Sequence, residues 1–490
     1  MPQKKAVIIG AGIAGIATAV RLAVKGYQVE VFEANNYAGG KIAEFEQDGF
    51  RFDAGPSLFT MPQYVDELFE LAGKKPSQYF SYQKLDTLCQ YFYEDGSRLT
   101  AYADEEKFIN EVEKLTGDAD AIRKHLENSS RIYQISRPIF LEQSLHRLKT
   151  YFTFDAVRAL FRLPKLDTSR TMHEANNSLF KDEHMVQYAD RYATYNGSDP
   201  YQVPATLNVI PHLEHHLGAY FPEKGMYNIV SSLVQLAESI GVKFHYNSPV
   251  ERVILENKKP IGIKIRDCII EADIVVSNMD VWFTYHKLLS DHSHLFPKKT
   301  LNQERSSSAL IFYWGIKKKF EELDLHNIFF STDYKTEFEH IWQKQTIHHD
   351  PTVYVNISSK FKPDDAPPGC ENWFVMINVP ANKGQDWGQL IKETRTNIQE
   401  KLSRILKTDI ADLIVAESVL DPRSIENQTS SYQGSIYGSS SNSRFAAFLR
   451  HANRSVKIKN LYFCGGSVHP GGGIPLCLLS AKIVSEWIRL

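Results

Sequence analysis

The sequence is poor in cysteine, in long apolar runs and in net charge, and each shortage excludes a class of protein. Its five cysteines, Cys89, Cys268, Cys370, Cys464 and Cys477, are scattered. They form neither a Cys-x-x-Cys pair nor the even, closely spaced set of a disulfide framework. An odd, sparse set of thiols suits a reducing compartment. No stretch approaches the roughly 18–20 unbroken apolar residues that a membrane-spanning helix needs. The 56 Lys and Arg nearly balance 58 Asp and Glu, leaving a formal charge of -2. A dedicated nucleic-acid binder is usually basic, so no nucleic acid is expected as a partner. What is plentiful is ordinary globular material. With 43% hydrophobic and 23% charged residues over 490 positions, the chain is not largely disordered and has core for several domains.

The N-terminus has a basic start and an apolar run, as a secretory signal does, but its glycines fit a strand-turn-helix unit better. Lys5–Ile9 is a short β-branched run leading into Gly10, Gly12 and Gly15. The pattern then predicts a helix over 13–25, stopped by Gly26, and a second strand over Gln28–Phe32 with Glu33 at its end. This is the dinucleotide fingerprint in its full context. Gly10 allows the tight turn, Gly12 lets the backbone approach a pyrophosphate, and Gly15 lets helix and strand pack closely. The helix N-terminus at Ile13 and Ala14 favours the anion. Glu33 suits a ribose hydroxyl and disfavours a 2′-phosphate. No second such fingerprint follows a strand, so a nicotinamide reductase domain is not expected.

Behind Glu33 and Ala34 come Gly39-Gly40-Lys41 and then Phe52-Asp53-Ala54-Gly55-Pro56-Ser57. A glycine pair followed by a base suits a second loop around an extended dinucleotide, and either loop alone would be an ordinary turn. In this order they resemble the flavin-binding pattern of the amine oxidase and carotenoid desaturase superfamily, and that resemblance implies FAD. It also implies the fold class: α/β with α+β insertions, a Rossmann-like FAD domain of the amine oxidase and dissociation-inhibitor type, a β-sheet substrate domain and a helical lid. The expected division is 1–85, 220–285 and 455–490 for the FAD domain, 86–100 and 286–454 for the substrate domain, and 101–219 for the lid.

Farther along, a helix is expected over 227–240, then strands over 242–246, 250–255, 261–265 and Ile274–Ser277, with breaks at Asn247-Ser248-Pro249, Asn257-Lys258-Lys259-Pro260 and Asp267-Cys268. This cluster resembles the superfamily's second cofactor-contacting segment. Val250 would face the adenine side with its backbone, and the returning strand would end at Asn278. The final 31 residues hold a strand over 460–464, then Gly465-Gly466-Ser467-Val468-His469-Pro470-Gly471-Gly472-Gly473-Ile474-Pro475, then an apolar helix over 476–490. Free N–H groups at that helix start would stabilise negative charge on a reduced flavin.

The C-terminal motif resembles the carotenoid desaturase family of bacterial phytoene-desaturase type, and the likeness covers nearly the whole chain. Residues 191–197 and Gly434-Ser435-Ile436-Tyr437-Gly438 match interior landmarks of that family. Typical phytoene desaturases read Gly-Ala-Gly-Thr-His-Pro-Gly-Ala-Gly-Ile-Pro-Gly where this chain has 465–476. The variant looks more like the branch acting on later intermediates, such as the 1-hydroxycarotenoid 3,4-desaturases. The implied cofactor-binding set is Gly10, Gly12, Ile13, Ala14, Gly15, Glu33, Ala34, Gly39, Gly40, Lys41, Gly55, Pro56, Ser57, Val250, Asn278, Gly465, Gly466, Gly473, Ile474 and Pro475.

The implied chemistry is removal of two hydrogens from a C–C bond beside a polyene, with hydride passing to flavin N5. The conjugated chain spreads the developing cation, so a strong base is not obligatory. His469 is a candidate catalytic residue only by its place in the motif, and orienting that loop is an equal reading. Three rivals remain open. A flavin amine oxidase would carry an aromatic cage, a carotenoid isomerase or saturase would show no net hydrogen loss, and an isoprenoid-binding protein would hold no flavin.

Residues 131–165 are an outlier, with Arg131, Arg137, Arg147, Lys149, Arg158, Arg162 and Lys165 against only Glu142 and Asp155. Tyr133, Phe140, Tyr151, Phe152, Phe154 and Phe161 are interleaved. Such a stretch suits either a lid whose basic stems lie over the core or helices on an anionic membrane surface. A carotenoid substrate, with a quinone or O₂ as electron acceptor, favours the second, and hence a cytoplasmic protein held at the inner face of the cell membrane. His212, His215 and His216 have only Glu214 beside them, and His348-His349 reads as a loop. No metal site is expected. The Ser-, Gly- and Tyr-rich residues 427–443 suit a substrate-side loop.

Overall fold

The structure, a computed structural model, describes residues 3–147, 150, 166–443 and 446–489. A five-stranded parallel sheet runs in the order Lys243–His245, Gln28–Phe32, Lys5–Ile9, Ile274–Ser277, Leu461–Phe463. Its central strand is Ala6 to Ile9 buried on both faces, as a parallel sheet covered on both sides requires. Helix Ile13–Val24 lies against it, with every residue from Ile13 to Leu22 buried. The C-terminal helix Ile474–Trp487 packs on that helix, so Ile16, Val20, Leu478 and Val484 share one core. This helix starts two residues before the expected 476, because Gly473 is its cap and Pro475 sits in the first turn. Proline is tolerated there, since its missing N–H has no partner to lose.

A three-stranded antiparallel sheet, Arg252–Glu256, Lys259–Ile265 and Cys268–Glu271, follows in the chain. The break expected at Asp267-Cys268 is a hairpin turn over Arg266 and Asp267, and it leads into a further strand, Cys268–Glu271, that was not expected. Arg266 takes a positive φ of 53°, and Ile265 pairs with Cys268. Likewise Asn257 and Lys258, at φ 49° and 59°, form the two-residue turn whose twist matches its strands. Pro260 enters the strand opposite a register shift between Ile254 and Leu255, where a missing ladder donor is accommodated.

The third unit is a seven-stranded sheet ordered Ile414–Leu420, Ser308–Ile316, Glu371–Val379, Val353–Asn356, His326–Phe329, Thr87–Phe92, Arg98–Tyr102. Its one parallel pair joins His326–Phe329 to Thr87–Phe92, strands more than 200 residues apart. Helices cover its outer end. In Glu105–Thr116, for example, Asp104 caps the start by accepting from Lys107 N, and Gly117 ends it in the left-handed region. Phe108, Ile109 and Val112 make that helix's buried stripe, at the spacing of one helical face. The fold class is therefore α/β with α+β insertions. Among the described residues no helix is long and apolar enough to cross a membrane.

Candidate functional site

A cavity of about 1450 Å³ runs from the glycine turns of the parallel sheet, beneath the C-terminal loop, to the inner face of the seven-stranded sheet. That exceeds the roughly 300–1,000 Å³ of a pocket for one small ligand. All twenty residues of the expected cofactor set line it except Gly15. Gly15 stands behind the wall, where a Cβ would lie 2.3 Å from the Gly10 carbonyl oxygen, so it serves the close helix–strand approach. Glu33 is buried and accepts from Ala11 N at 2.7 Å and Asn35 N at 2.9 Å. A carboxylate has about four lone-pair positions, so it retains capacity for ligand hydroxyls. Gly55, at φ 148°, brings the Gly55-Pro56-Ser57 turn onto Lys41, where a Cβ would sit 1.9 Å from the Lys41 carbonyl oxygen.

Two cations share this end of the cavity, Arg450 buried and Lys41 half-buried. Lys41 Nζ donates to the carbonyls of Ser435 and Ile436 at 3.3 and 3.1 Å, and burial lowers its pKa. Arg450 donates to the carbonyls of Tyr437, Gly466 and Ser439. Burial, with Arg305 nearby, pulls its pKa down to about 10. Asp280 also acts on Lys41, but both cations donate their hydrogen bonds to carbonyl oxygens, and a cation so placed is paired best by an anion. The landmarks around residues 191–197 and 434–438 meet here, for Tyr437 packs so closely that a Cβ on Gly197 or Gly472 would lie 2.8 Å from its ring. The 427–443 loop does line the cavity, and it also supplies the carbonyls that hold Lys41.

The other end combines an apolar wall, including Met61, Leu88, Ile132, Leu213, Ile311 and Phe338, with a few polar groups. Ser57 Oγ is 2.7 Å from Tyr354 Oη, which is 2.7 Å from His326 Nδ1. Burial pulls the His326 pKa down to about 4, so the ring is neutral. Arg191 lies among the rings of Tyr91, Tyr188, Tyr192 and Tyr195 and donates to Glu214 at 3.1 Å. Glu337 accepts from Thr352 N and Oγ1, and burial raises its pKa to about 7. None of Tyr354, His326, Arg191, Glu214 or Glu337 was singled out as a site residue from the sequence. Only the Arg191 landmark pointed near them.

His469 does not line the cavity, whose wall there is Ser467 and Pro470. Its Nε2–H donates to the Gln143 carbonyl at 2.8 Å, and burial pulls its pKa down to about 4. It braces the C-terminal loop against the segment that follows helix Ala119–Ser136. His215 Nε2 is 2.7 Å from Tyr188 Oη, and His212 packs between Tyr133 and His216. Within 131–165, Tyr133 and Phe140 line the cavity, Arg137 pairs with Glu142, and Arg147 lies over Trp487. Lys149, Tyr151, Phe152, Phe154, Arg158, Phe161, Arg162 and Lys165 lie outside the described residues.

A sheet ending in a glycine turn, a carboxylate at the next strand's end and two cations beside a long apolar cavity define a dinucleotide-dependent enzyme of lipophilic substrates. The profile of the flavin containing amine oxidoreductases matches residues 13–488, and the chain belongs to that family. It is 50% identical over 487 residues to the 1-hydroxycarotenoid 3,4-desaturase of a Flavobacterium species, covering 99% of each chain. It is 31% identical over 495 residues to the 4,4'-diapolycopene oxygenase of a Methylomonas species, covering 99% of this chain and 98% of that one. A solved oxidoreductase from Methanosarcina mazei shares the fold, with a TM-score of 0.65 at 18% identity over 98% of this chain and 100% of that one. The chain is thus an oxidoreductase with FAD as its cofactor, and the cavity fits that group. Glu33 could hold its ribose, Lys41 and Arg450 would offset its charge, and the glycine turns leave room for its diphosphate.

Proposed function

We propose that this chain desaturates a carotenoid, introducing the 3,4 double bond into a 1-hydroxycarotenoid. The observation that carries this reading is the 50% identity held over 99% of both chains to an enzyme of that name. The apolar end of the cavity supports it, since a polyene offers little but apolar surface.

In this reading Glu33, Ala34 and Val250 hold the adenosine, and Gly10, Gly12, Ile13, Ala14, Gly39, Gly40, Lys41, Asn278, Gly465 and Gly466 surround the diphosphate. Gly55, Pro56, Ser57, Gly473, Ile474 and Pro475 surround the isoalloxazine, with Gly15 closing the helix onto the strand. Residues 1–85, 220–285 and 455–490 form the FAD domain, 86–100 and 286–454 the substrate domain, and 101–219 the lid. FAD supplies the two-electron acceptor. The chain's own part is to hold the polyene in place, exclude water with its apolar wall and keep the scissile C–H bonds beside the Gly55–Ser57 turn. FAD, when bound, would accept the hydride that one carbon loses, the neighbouring carbon's proton would leave to solvent, and a quinone or O₂ would then take up the two electrons with two protons.

Co-expression in strains accumulating phytoene, neurosporene or 1-hydroxylated carotenoids tests the substrate. A product two hydrogens lighter from the hydroxylated carotenoid is expected, and conversion of phytoene instead would overturn the late-pathway assignment. The basic and aromatic residues of 131–165 dock the protein on the inner face of the cell membrane, where polyene and quinone reside. Liposome binding unchanged after charge reversal of Arg147, Arg158 and Arg162 would refute that.

A further inference from the structure

In a 1-hydroxylated end group the oxygen is only three bonds from C3, within about 4 Å of the bond that is desaturated. Any side chain that reads this hydroxyl must therefore stand where the substrate meets the Gly55–Ser57 turn. It cannot stand at the far end of the cavity.

A line of three hydrogen-bonded side chains on the cavity wall starts at that turn: Ser57, Tyr354 and His326. Their hydrogen bonds have a fixed direction. The Asn356 amide donates to the Leu325 carbonyl at 3.0 Å, which orients its nitrogen towards His326 Nδ1 at 3.3 Å. An amide N–H₂ can only donate, so Nδ1 is the acceptor and the imidazole proton sits on Nε2. Tyr354 must then donate its single proton to Nδ1 across 2.7 Å. Ser57 in turn must donate to Tyr354 across 2.7 Å. The line therefore presents the Ser57 oxygen lone pairs as an acceptor, and it ends in a His326 Nε2–H with no partner among the described residues.

The geometry points to the Ser57–Tyr354–His326 line as the site that recognises the tertiary alcohol of the substrate, with Ser57 Oγ accepting the alcohol's proton. The inference rests on the desaturase reading above and adds to it the residues that choose the substrate. Tyr354 and His326 are positioning residues, because they hold the Ser57 proton away from the ligand. A site built to hydrogen-bond an alcohol rejects the analogue lacking it, since the site's own polar group is then left unpaired in an apolar wall.

The test compares two purified polyenes of equal conjugation, one carrying the tertiary alcohol and one lacking it. The ratio of their kcat/KM values is measured in wild type, Tyr354→Phe and Ser57→Ala, each brought to equal FAD content. The affinity ratio is measured separately, without turnover, by tryptophan quenching. Wild type is expected to prefer the alcohol. Ser57→Ala should lose up to roughly 10-fold of that preference in both ratios, the worth of one hydrogen bond. Tyr354→Phe should lose a smaller part of it, because Ser57 stays but is free to turn its own proton to the ligand. Ratios unchanged in both variants, or near unity in wild type, would overturn the inference while leaving the desaturase reading intact. Failure of wild type to convert either polyene would overturn the desaturase reading itself.

Discussion

Replacing Glu214 by Gln is the sharpest test of what holds the polar end of the cavity together. The Arg191 and Glu214 side chains are each 4% exposed and 3.1 Å apart. Glu214 also accepts from Tyr192 at 2.9 Å and from Tyr195, while Arg191 donates to Tyr195 at 2.9 Å. Glutamine keeps the shape and one acceptor but removes the charge, so Arg191 remains as a buried cation with only tyrosine faces and hydroxyls around it. Removing one partner of a buried pair costs about 3–5 kcal/mol, most of it from the charge left behind. With about 2.1 cal/mol/K of unfolding entropy per residue, a 490-residue chain unfolding as one unit has about 1 kcal/mol/K. The midpoint should therefore fall by roughly 3–5 °C. Differential scanning calorimetry of Glu214→Gln against wild type measures this. The double variant Arg191→Met with Glu214→Leu should regain most of the loss, because no unpaired charge remains. A Glu214→Gln midpoint within about 1 °C of wild type would refute the reasoning, as would a double variant less stable than the single one.

Three further outcomes follow from the same geometry. Glu337, raised from 4.5 to about 7 by burial, stays protonated in the folded protein where the unfolded chain has already released its proton. Its stabilising contribution is present below pH 4.5 and lost as pH rises through 7. Glu337→Gln should therefore narrow the gap in melting temperature between pH 5 and pH 8, and an unchanged gap would count against the burial argument. Glu33→Ala strands the Ala11 and Asn35 N–H groups and removes the ribose acceptor. Its affinity for FAD, followed by flavin fluorescence on titration, should weaken roughly 10- to 100-fold. Gly55→Ala places a Cβ 1.9 Å from the Lys41 carbonyl oxygen at φ 148°. It should emerge from gel filtration with less flavin per chain than wild type, and full retention would show that the turn can shift freely.

The dinucleotide half was legible because its signals are contiguous. Gly10, Gly12, Gly15 and Glu33 fall within one strand-turn-helix-strand unit, where the tight Gly15–Gly10 approach and the Glu33–Ala11 hydrogen bond are both made inside the unit. The same locality explains why Ile13–Val24, Gln28–Phe32 and Ile274–Ser277 appear at or near their expected bounds. Elsewhere the reading was incomplete. Asp267-Cys268 has turn composition and the chain does turn there, yet no signal announced the short strand Cys268–Glu271 that follows. His469, read equally as a catalytic candidate or as orienting its loop, gives its ring N–H to a carbonyl 326 residues away in sequence, a contact that local spacing does not record.

By itself, then, the sequence determined the nucleotide fold and the glycine turns that line its end of the cavity, because these follow from residue type at short spacing. Only the tertiary structure decided what stands opposite the Gly55–Ser57 turn. Ser57 meets Tyr354 and His326 across more than 260 residues, and Arg191 meets Glu214 inside a cage that includes Tyr91. Those meetings depend on the parallel pairing of His326–Phe329 with Thr87–Phe92 and on the order of the seven-stranded sheet. Strand order is set by which faces bury best together across the whole molecule. Local periodicity carries no record of it.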